Sequence, residues 1–244
     1  MVMAGKKARS EETSGGKVVK TPASLVDKAY QQIKRMMFYN ELAAGQRLRY
    51  QDIAGKLRMS QTPVIMALTR LENEGLVHSE AHKGFYVPDA NLDDVKELYE
   101  MRGLIEGFLV RKTAEIISED QLEQLRGLMA EHEGVRGLAY TRERLWCDAR
   151  LHIALASFSG HRIGERFLRQ VFDRLYLMYR PERLAMERMR EAEKEHKEVY
   201  DALAAGDGEQ ACEIIRKHIQ NGRKHILEGL EKEVRRRDSF ILWN

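Results

Sequence analysis

The sequence predicts a mainly α chain in two parts: an N-terminal module of short helices closed by a β-hairpin, then an all-α six-helix bundle. Three observations carry the prediction. Apolar residues recur at helical spacing along almost the whole chain after Asn91. Pro63 and Pro88 fall within the first ninety residues, whereas the last 150 residues hold only Pro181, which leaves long helices uninterrupted. Strand-like runs broken by a tight turn occur only between Leu76 and Pro88.

The elements follow in order. Residues 1–20, with Lys6, Lys7 and Arg9 before a Ser/Glu/Thr/Gly run, read as a disordered tail. Residues 21–90 form the first module. Ser24 starts a helix whose Leu25, Ala29, Ile33, Met36 and Met37 share a face, ending near Asn40. Glu41 to Gly45 is a turn, and a short helix covers Asp52 to Leu57. Ser60 reads as an N-cap, with Gln61, Thr62 and Pro63 in the first turn, where proline is tolerated. Val64, Leu68 and Leu71 give that helix its apolar face, and Gly75 stops it. Leu76–Glu80 and Phe85–Pro88 are strands around a turn from Ala81 to Gly84. Helix, short helix, capped helix, hairpin is the winged helix-turn-helix arrangement, whose second helix enters the DNA major groove.

Six helical patterns fill residues 91–236, at roughly 92–117, 119–135, 140–158, 161–180, 182–205 and 208–235. Ser118 with Gln121 has the capping-box spacing, and Asp207 with Gln210 is a weaker version. Short loops imply antiparallel neighbours. Residues 237–244 form an apolar tail around Phe240, Ile241, Leu242 and Trp243, expected either to dock on the bundle or a second subunit or to fray.

Composition narrows the function classes. The chain has 244 residues, 43% hydrophobic and 32% charged, as in a soluble helix-rich protein. A net charge of +3 allows nucleic-acid binding through a local patch and not through a global field. Two cysteines without a CxxC pair fit a reducing compartment. With no apolar run of membrane length and no signal-peptide core, the expected location is cytoplasmic, without membrane contact.

Four polar residues stand on apolar stripes of the second part. Asp148 and His152 are four apart and share a helix face with Leu145 and Leu155. His196 and His218 flank the break Ala204-Ala205-Gly206-Asp207-Gly208, with Asp207 at their midpoint. If the chain reverses there, the two imidazoles meet at one height on antiparallel helices. An unpaired carboxylate buried among them would cost several kcal/mol, so Asp148 needs a partner. A divalent cation satisfies one carboxylate and three imidazoles together; a hydrogen-bonded cluster without an ion is the alternative. Nitrogen and oxygen ligands suit zinc or nickel first, then manganese or iron, rather than Cu(I). Cys147 points about 100° away from Asp148 and is not counted. His132 and His161 read as ordinary core or surface histidines.

The run from Ala44-Gly45-Gln-Arg-Leu48 through Asp52-Ile53-Ala54, Ser60-Gln-Thr-Pro-Val-Ile-Met-Ala-Leu68, Leu71-Glu72-Asn-Glu-Gly75 and Lys83-Gly84 resembles the GntR family of regulators. Leu98-Tyr99-Glu100-Met101-Arg102 to Glu106 resembles the start of that family's FadR-type effector domain, the FCD domain, and the resemblance extends from about residue 24 over nearly the whole chain. Asp148, His152, His196 and His218 match the metal-ligand pattern of that domain. Arg102 matches an arginine often near the effector carboxylate; its alternative is a helix-surface pair with Glu106. Asn221, one turn after His218, is a further effector-binding candidate. The DNA-contact candidates are Arg47, Arg49, Gln61, Thr62, Ile65, Thr69, Arg70, His82, Lys83 and Gly84. Gln61 and Ile65 stand where the family usually has arginine, and Ala44 where it usually has proline. Gln can pair with adenine, and Ile offers apolar contact to a thymine methyl.

The resemblance implies a homodimeric, non-enzymatic transcription regulator, more often a repressor. It would bind a double-stranded DNA operator and respond to a small carboxylate effector at the metal site. The alternatives from another class are a metal-dependent hydrolase and a metal sensor built on the same Asp/His3 set.

Overall fold

The computed structural model describes residues 24–81, 83–89, 91–135, 142–178 and 186–241. The expected tail over residues 1–20, His82 and the last three residues of the apolar tail lie outside them.

Helix α1 (Leu25–Phe38) opens on Ser24, whose hydroxyl accepts from the Asp27 N–H while the Asp27 carboxylate returns to the Ser24 N–H, the expected first turn closed as a capping box. Strand β1 (Arg47–Leu48), α2 (Tyr50–Leu57), α3 (Gln61–Asn73), β2 (His78–Glu80) and β3 (Gly84–Tyr86) complete the module. Ala29, Ile33, Val64, Leu68 and Leu71 are fully buried and join α1 to α3. The wing differs from the sequence expectation: it is a three-stranded antiparallel sheet in the order β1-β3-β2, not a two-stranded hairpin. Gly45 makes the third strand reachable. At φ +74° its N–H donates to Val87 O at 2.9 Å, and Val87 N–H returns to Gln46 O at 3.0 Å. A two-residue strand is too short to show alternation.

Six helices follow among the described residues: α4 (Leu92–Ile116), α5 (Glu119–Gly134), α6 (Arg142–Phe158), α7 (Arg162–Met178), α8 (Met186–Ala204) and α9 (Gly208–Ile241). The Ser118–Gln121 capping box starts α5 as expected. The α8–α9 reversal turns on Gly206 at φ +71°, and the Asp207 carboxylate accepts from the Gln210 N–H at 2.9 Å. Helix α9 runs past residue 235, so residues 237–241 of the apolar tail are helical in backbone. The bundle core gathers Val95, Leu98, Val110, Leu125, Leu151, Leu203 and Ile215. No helix of the described residues is long and apolar enough to cross a membrane.

The two parts meet along α7. Asp173 pairs with Lys34 of α1 at 2.6 Å, and Arg174 donates to Glu74 O at 3.1 Å. The Tyr176 ring meets Phe38 of α1 edge-on at 5.2 Å. One helix thus touches both the N-terminal module and, through Phe172, the site described next.

Candidate metal centre and DNA-reading surface

Helix α6 presents Asp148 and His152, one turn apart, toward His196 of α8 and His218 of α9. The α8–α9 reversal brings the latter two rings to 4.6 Å between centroids, and His152 stands 5.3 Å from His196 and 5.1 Å from His218. One donor atom from each of the four residues lies within 4.8 Å of the others. The Asp148 carboxylate is 3.8 Å from His152 Nε2 and 3.5 Å from His196 Nε2.

Two carboxylates behind the imidazoles decide which nitrogen faces inward. Glu106 of α4 takes His152 Nδ1, and Glu195 of α8 takes His218 Nδ1 at 2.7 Å. With Nδ1–H donated outward, Nε2 carries the lone pair toward the cluster, the orientation a metal-ligating imidazole needs. Glu106 is held in turn by Arg102 Nε at 2.7 Å, and both side chains are buried. The alternative of a helix-surface pair is therefore corrected: the pair exists, but inside the bundle, where Arg102 Nη2 also lies 3.4 Å from His152 Nε2. Glu195 is held by Arg188 at 2.7 Å and by the Asn221 amide at 2.7 Å. Asn221 thus sits behind His218 and is absent from the lining of the cavity beside the cluster.

The electrostatics favour a cation. Burial would raise the Glu106 pKa, but Arg102 and His152 reverse that and hold it at about 2; for Glu195, His218 and Arg188 hydrogen bonds overcome burial to the same value. Burial acts against Asp148 as well, and the surrounding imidazoles, His152 first, pull it below the usual carboxylate range. His196 and His218 are driven toward neutrality. Burial pushes His196 well below its ordinary value, with His218 adding to the effect, and burial lowers His218 against the pull of Glu195. A buried carboxylate needs positive charge nearby, while burial denies that charge to His196 and His218. A divalent cation reconciles the two. His196 Nε2 is buried and meets no hydrogen-bond partner among the described residues, as expected of an atom whose partner is an ion. Asp148, His152, His196 and His218 therefore fit a metal, which would supply a Lewis-acidic anchor for an oxygen ligand.

A cavity of about 40 Å³ adjoins the cluster, lined in part by Arg102, His132, Asp148, Arg188 and His218. His132 departs from its expectation as an ordinary histidine. It projects from α5 with 2% exposure, its ring 5.5 Å from His196, and its Nε2 meets no hydrogen-bond partner among the described residues. Its stripe, Leu122, Leu125, Met129, His132, carries it inward. Arg188, Glu106, Glu195 and His132 were all missed as site residues from sequence.

On the other module, α3 buries Val64, Ala67, Leu68 and Leu71 and turns Gln61, Thr62, Ile65, Thr69 and Arg70 outward. Met66, a residue the sequence reading passed over, is exposed beside Ile65. Arg47 of β1 and Arg49 before α2 are also exposed. Ser60 has N-cap backbone geometry, but its side chain makes no capping bond. Arg70 is engaged, donating to Asp27 at 3.1 Å and Glu74 at 3.3 Å with its guanidinium 4.0 Å above the Tyr30 ring. At the wing tip Lys83 pairs with Glu80 at 2.8 Å, and Gly84 takes φ +98°.

Known proteins share this organisation. Residues 25–87 match the family of bacterial regulatory proteins, gntR family, and residues 97–221 match the FCD domain. The chain is 26% identical over 202 residues to the Nta operon transcriptional regulator of Aminobacter aminovorans, covering 80% of this chain and 92% of that one. It is 27% identical over 229 residues to the HTH-type transcriptional regulator LutR of Bacillus subtilis, covering 81% and 99%. Against the HTH-type transcriptional repressor RspR of Escherichia coli, identity is 23% over 203 residues, covering 78% and 84%. Among solved structures, E. coli McbR/YncC superposes with a TM-score of 0.73 at 23% identity, covering 86% of this chain and 100% of that chain, a likeness of fold.

Proposed function

Because the chain belongs to the gntR family of bacterial transcription regulators and carries their FCD effector domain, we propose that it is a cytoplasmic, homodimeric repressor. A small organic acid, bound at a divalent metal in the bundle, would relieve it. The observation that carries the effector half is the Asp148, His152, His196, His218 cluster, walled in beside a small cavity that Arg102 also lines. Zinc or nickel suits four nitrogen and oxygen donors, with manganese or iron next. An acid adding its oxygens to the ion would find the Arg102 guanidinium beside it. The named repressor among the relatives, RspR, supports the sign of regulation.

For DNA, α3 enters the major groove with Gln61 set to pair with adenine and Ile65 with a thymine methyl. Thr62 and Thr69 share that face. Arg47, Arg49, Lys83 and the backbone at Gly84 serve phosphates, as would His82. Arg70 shares the outer face of α3 but must first give up its partners. The homodimer rests on an exposed apolar surface in which Met101, Leu104, Phe108 and Ile116 of α4 adjoin Ile163 and Phe167 of α7. Phe108 meets His161 edge-on at 5.2 Å across the α4–α7 seam, which makes the surface continuous. A hydrolase at the same cluster has less support: Glu106 and Glu195, the carboxylates behind the imidazoles, are both spent on holding them.

The test is selection of the full chain on a random duplex pool, with zinc and with or without candidate acids. Enrichment of a two-fold symmetric motif, weakened by one class of acid, is the expected result. A pool that stays flat under every metal, acid and salt condition would refute the reading.

A further inference from the structure

The cavity beside the cluster holds two nitrogens that the metal does not need. Arg188 Nη2 is occupied by Glu195 at 2.7 Å and by the His218 carbonyl at 3.2 Å. Its Nη1 is buried and meets no hydrogen-bond partner among the described residues; the exposed Glu191 carboxylate comes only to 3.6 Å. His132 Nε2 is the second. Both residues line the same cavity of about 40 Å³, together with Asp148. Leaving a buried donor unsatisfied costs about 1–3 kcal/mol, more when it is charged. Arg188 Nη1, and His132 in its Nε2–H tautomer, give one cavity two donors with no acceptor among the described residues.

Charge fixes the class of acceptor. The carboxylates of Asp148, Glu106 and Glu195 face the guanidiniums of Arg102 and Arg188. The Arg144–Glu193 pair, from which Arg144 also acts on His132, is internally neutral. A ligating imidazole is a neutral donor, so with one divalent ion in place, and the solvent-screened Glu191 carboxylate left out of the sum, the buried groups carry a single positive charge. One monoanion neutralises it, and a dianion would bury net negative charge. Size narrows the class further, because about 40 Å³ corresponds to roughly three water-sized positions.

We propose that Arg188 and His132 form an effector subsite selecting a small monocarboxylate with a second, neutral oxygen, a two- or three-carbon hydroxy or oxo acid. Arg188 Nη1 donates to the carboxylate and His132 Nε2–H to the second oxygen. The assignment rests on the effector reading of the metal site given above, and it names the chemistry that site accepts.

Calorimetric titration of the zinc-loaded full chain with glycolate, acetate and malonate tests it, with zinc content measured on every variant. Wild type should bind glycolate about tenfold more tightly than acetate, since a site built for a hydroxyl penalises the analogue lacking it. Malonate should bind more weakly than either. His132→Leu should erase the glycolate preference and leave acetate affinity within about twofold, and Arg188→Gln should weaken both monocarboxylates by about tenfold or more. Both variants should retain one zinc. Zinc-replete variants that bind all three acids as wild type does would overturn the subsite and leave the metal-site reading standing, and malonate binding as well as glycolate would do the same. Loss of zinc from Arg188→Gln would overturn the Arg188 half, showing that it acts through Glu195 and His218. A zinc-loaded wild type that binds none of the three at millimolar concentration overturns the subsite. If no other acid releases the operator either, the effector reading falls with it.

Discussion

On α3 the polar residues point away from the core, and Val64, Leu68 and Leu71 hold the helix in place without their help. In the bundle the arrangement is inverted. Asp148, His152, His196 and His218 stand where leucines would otherwise pack, and Glu106, Arg102, Glu195 and Arg188 close around them. A surface reader can be exchanged at almost no cost to the fold. A buried polar cluster is itself part of the core, so a change that alters recognition there also alters stability.

The largest effect should come from Glu106→Ala. It strands Arg102 in the interior and frees the His152 ring, and removing one member of a buried pair costs about 3–5 kcal/mol. Urea denaturation of the metal-free chain should show that loss, and zinc affinity should fall about 10–100-fold, as when an outer carboxylate is removed from a ligating histidine. Wild-type zinc affinity in this variant would break the contrast between the two regions, because the cluster would then hold its geometry unaided.

Acid should weaken the bundle in two stages. His196 and His218 have folded pKa values below their ordinary 6.5, so the unfolded chain binds more protons as pH falls through that value, and stability drops with it. Glu106 and Glu195 are held at about 2 from an ordinary 4.5, so their contribution is present above 4.5 and is lost as pH falls toward 2. Melting temperature of the metal-free protein should therefore fall between about pH 7.5 and 5.5, and further below about 4.5. A flat profile through the upper range would mean that these imidazoles are not buried neutral. At the α4–α7 surface, Leu104→Glu should convert a dimer to a monomer in sedimentation while leaving zinc content unchanged.

The exposed reader should give the smallest effects on the fold. Gln61→Ala should change stability by no more than about 0.5 kcal/mol, while the preference at one operator position falls by about 1–3 kcal/mol. Lys83→Ala should weaken all sequences alike and lower the salt-dependence slope by about one. If Gln61→Ala leaves the selected motif unchanged, readout belongs to other residues of that face, with Met66 and Thr69 first.

Much of the bundle was legible because helical periodicity and the Gly206 break set where His196 and His218 meet. Asp148 and His152 needed only their i, i+4 spacing. The supporting carboxylates were harder to see. Glu195 lies in a helix with Glu191, Glu193 and Glu198, where composition alone reads as a solvated face. Glu106 did leave a signal, since Val95, Leu98, Tyr99, Arg102, Glu106, Leu109 and Val110 form one continuous buried stripe of α4. His132 left a similar one on α5. Strand β1 left none, because two residues have no period. The DNA-contact candidates rest on family resemblance alone, for exposed residues carry no burial cost that would betray them.

Helix α7 has a consequence of its own. Phe172 lies 5.7 Å from the His152 ring and 4.5 Å beneath the Arg102 guanidinium, while Asp173 and Tyr176, within one turn, hold α1. Where such a shared wall has two arrangements, the traffic between the sites runs both ways. By thermodynamic reciprocity, whatever factor an acid applies to operator affinity, the operator must apply to acid affinity. A promoter carrying this protein would then do more than wait for the metabolite. It would set the concentration at which the bound molecules hear it, and the unbound pool in the same cell would answer at another.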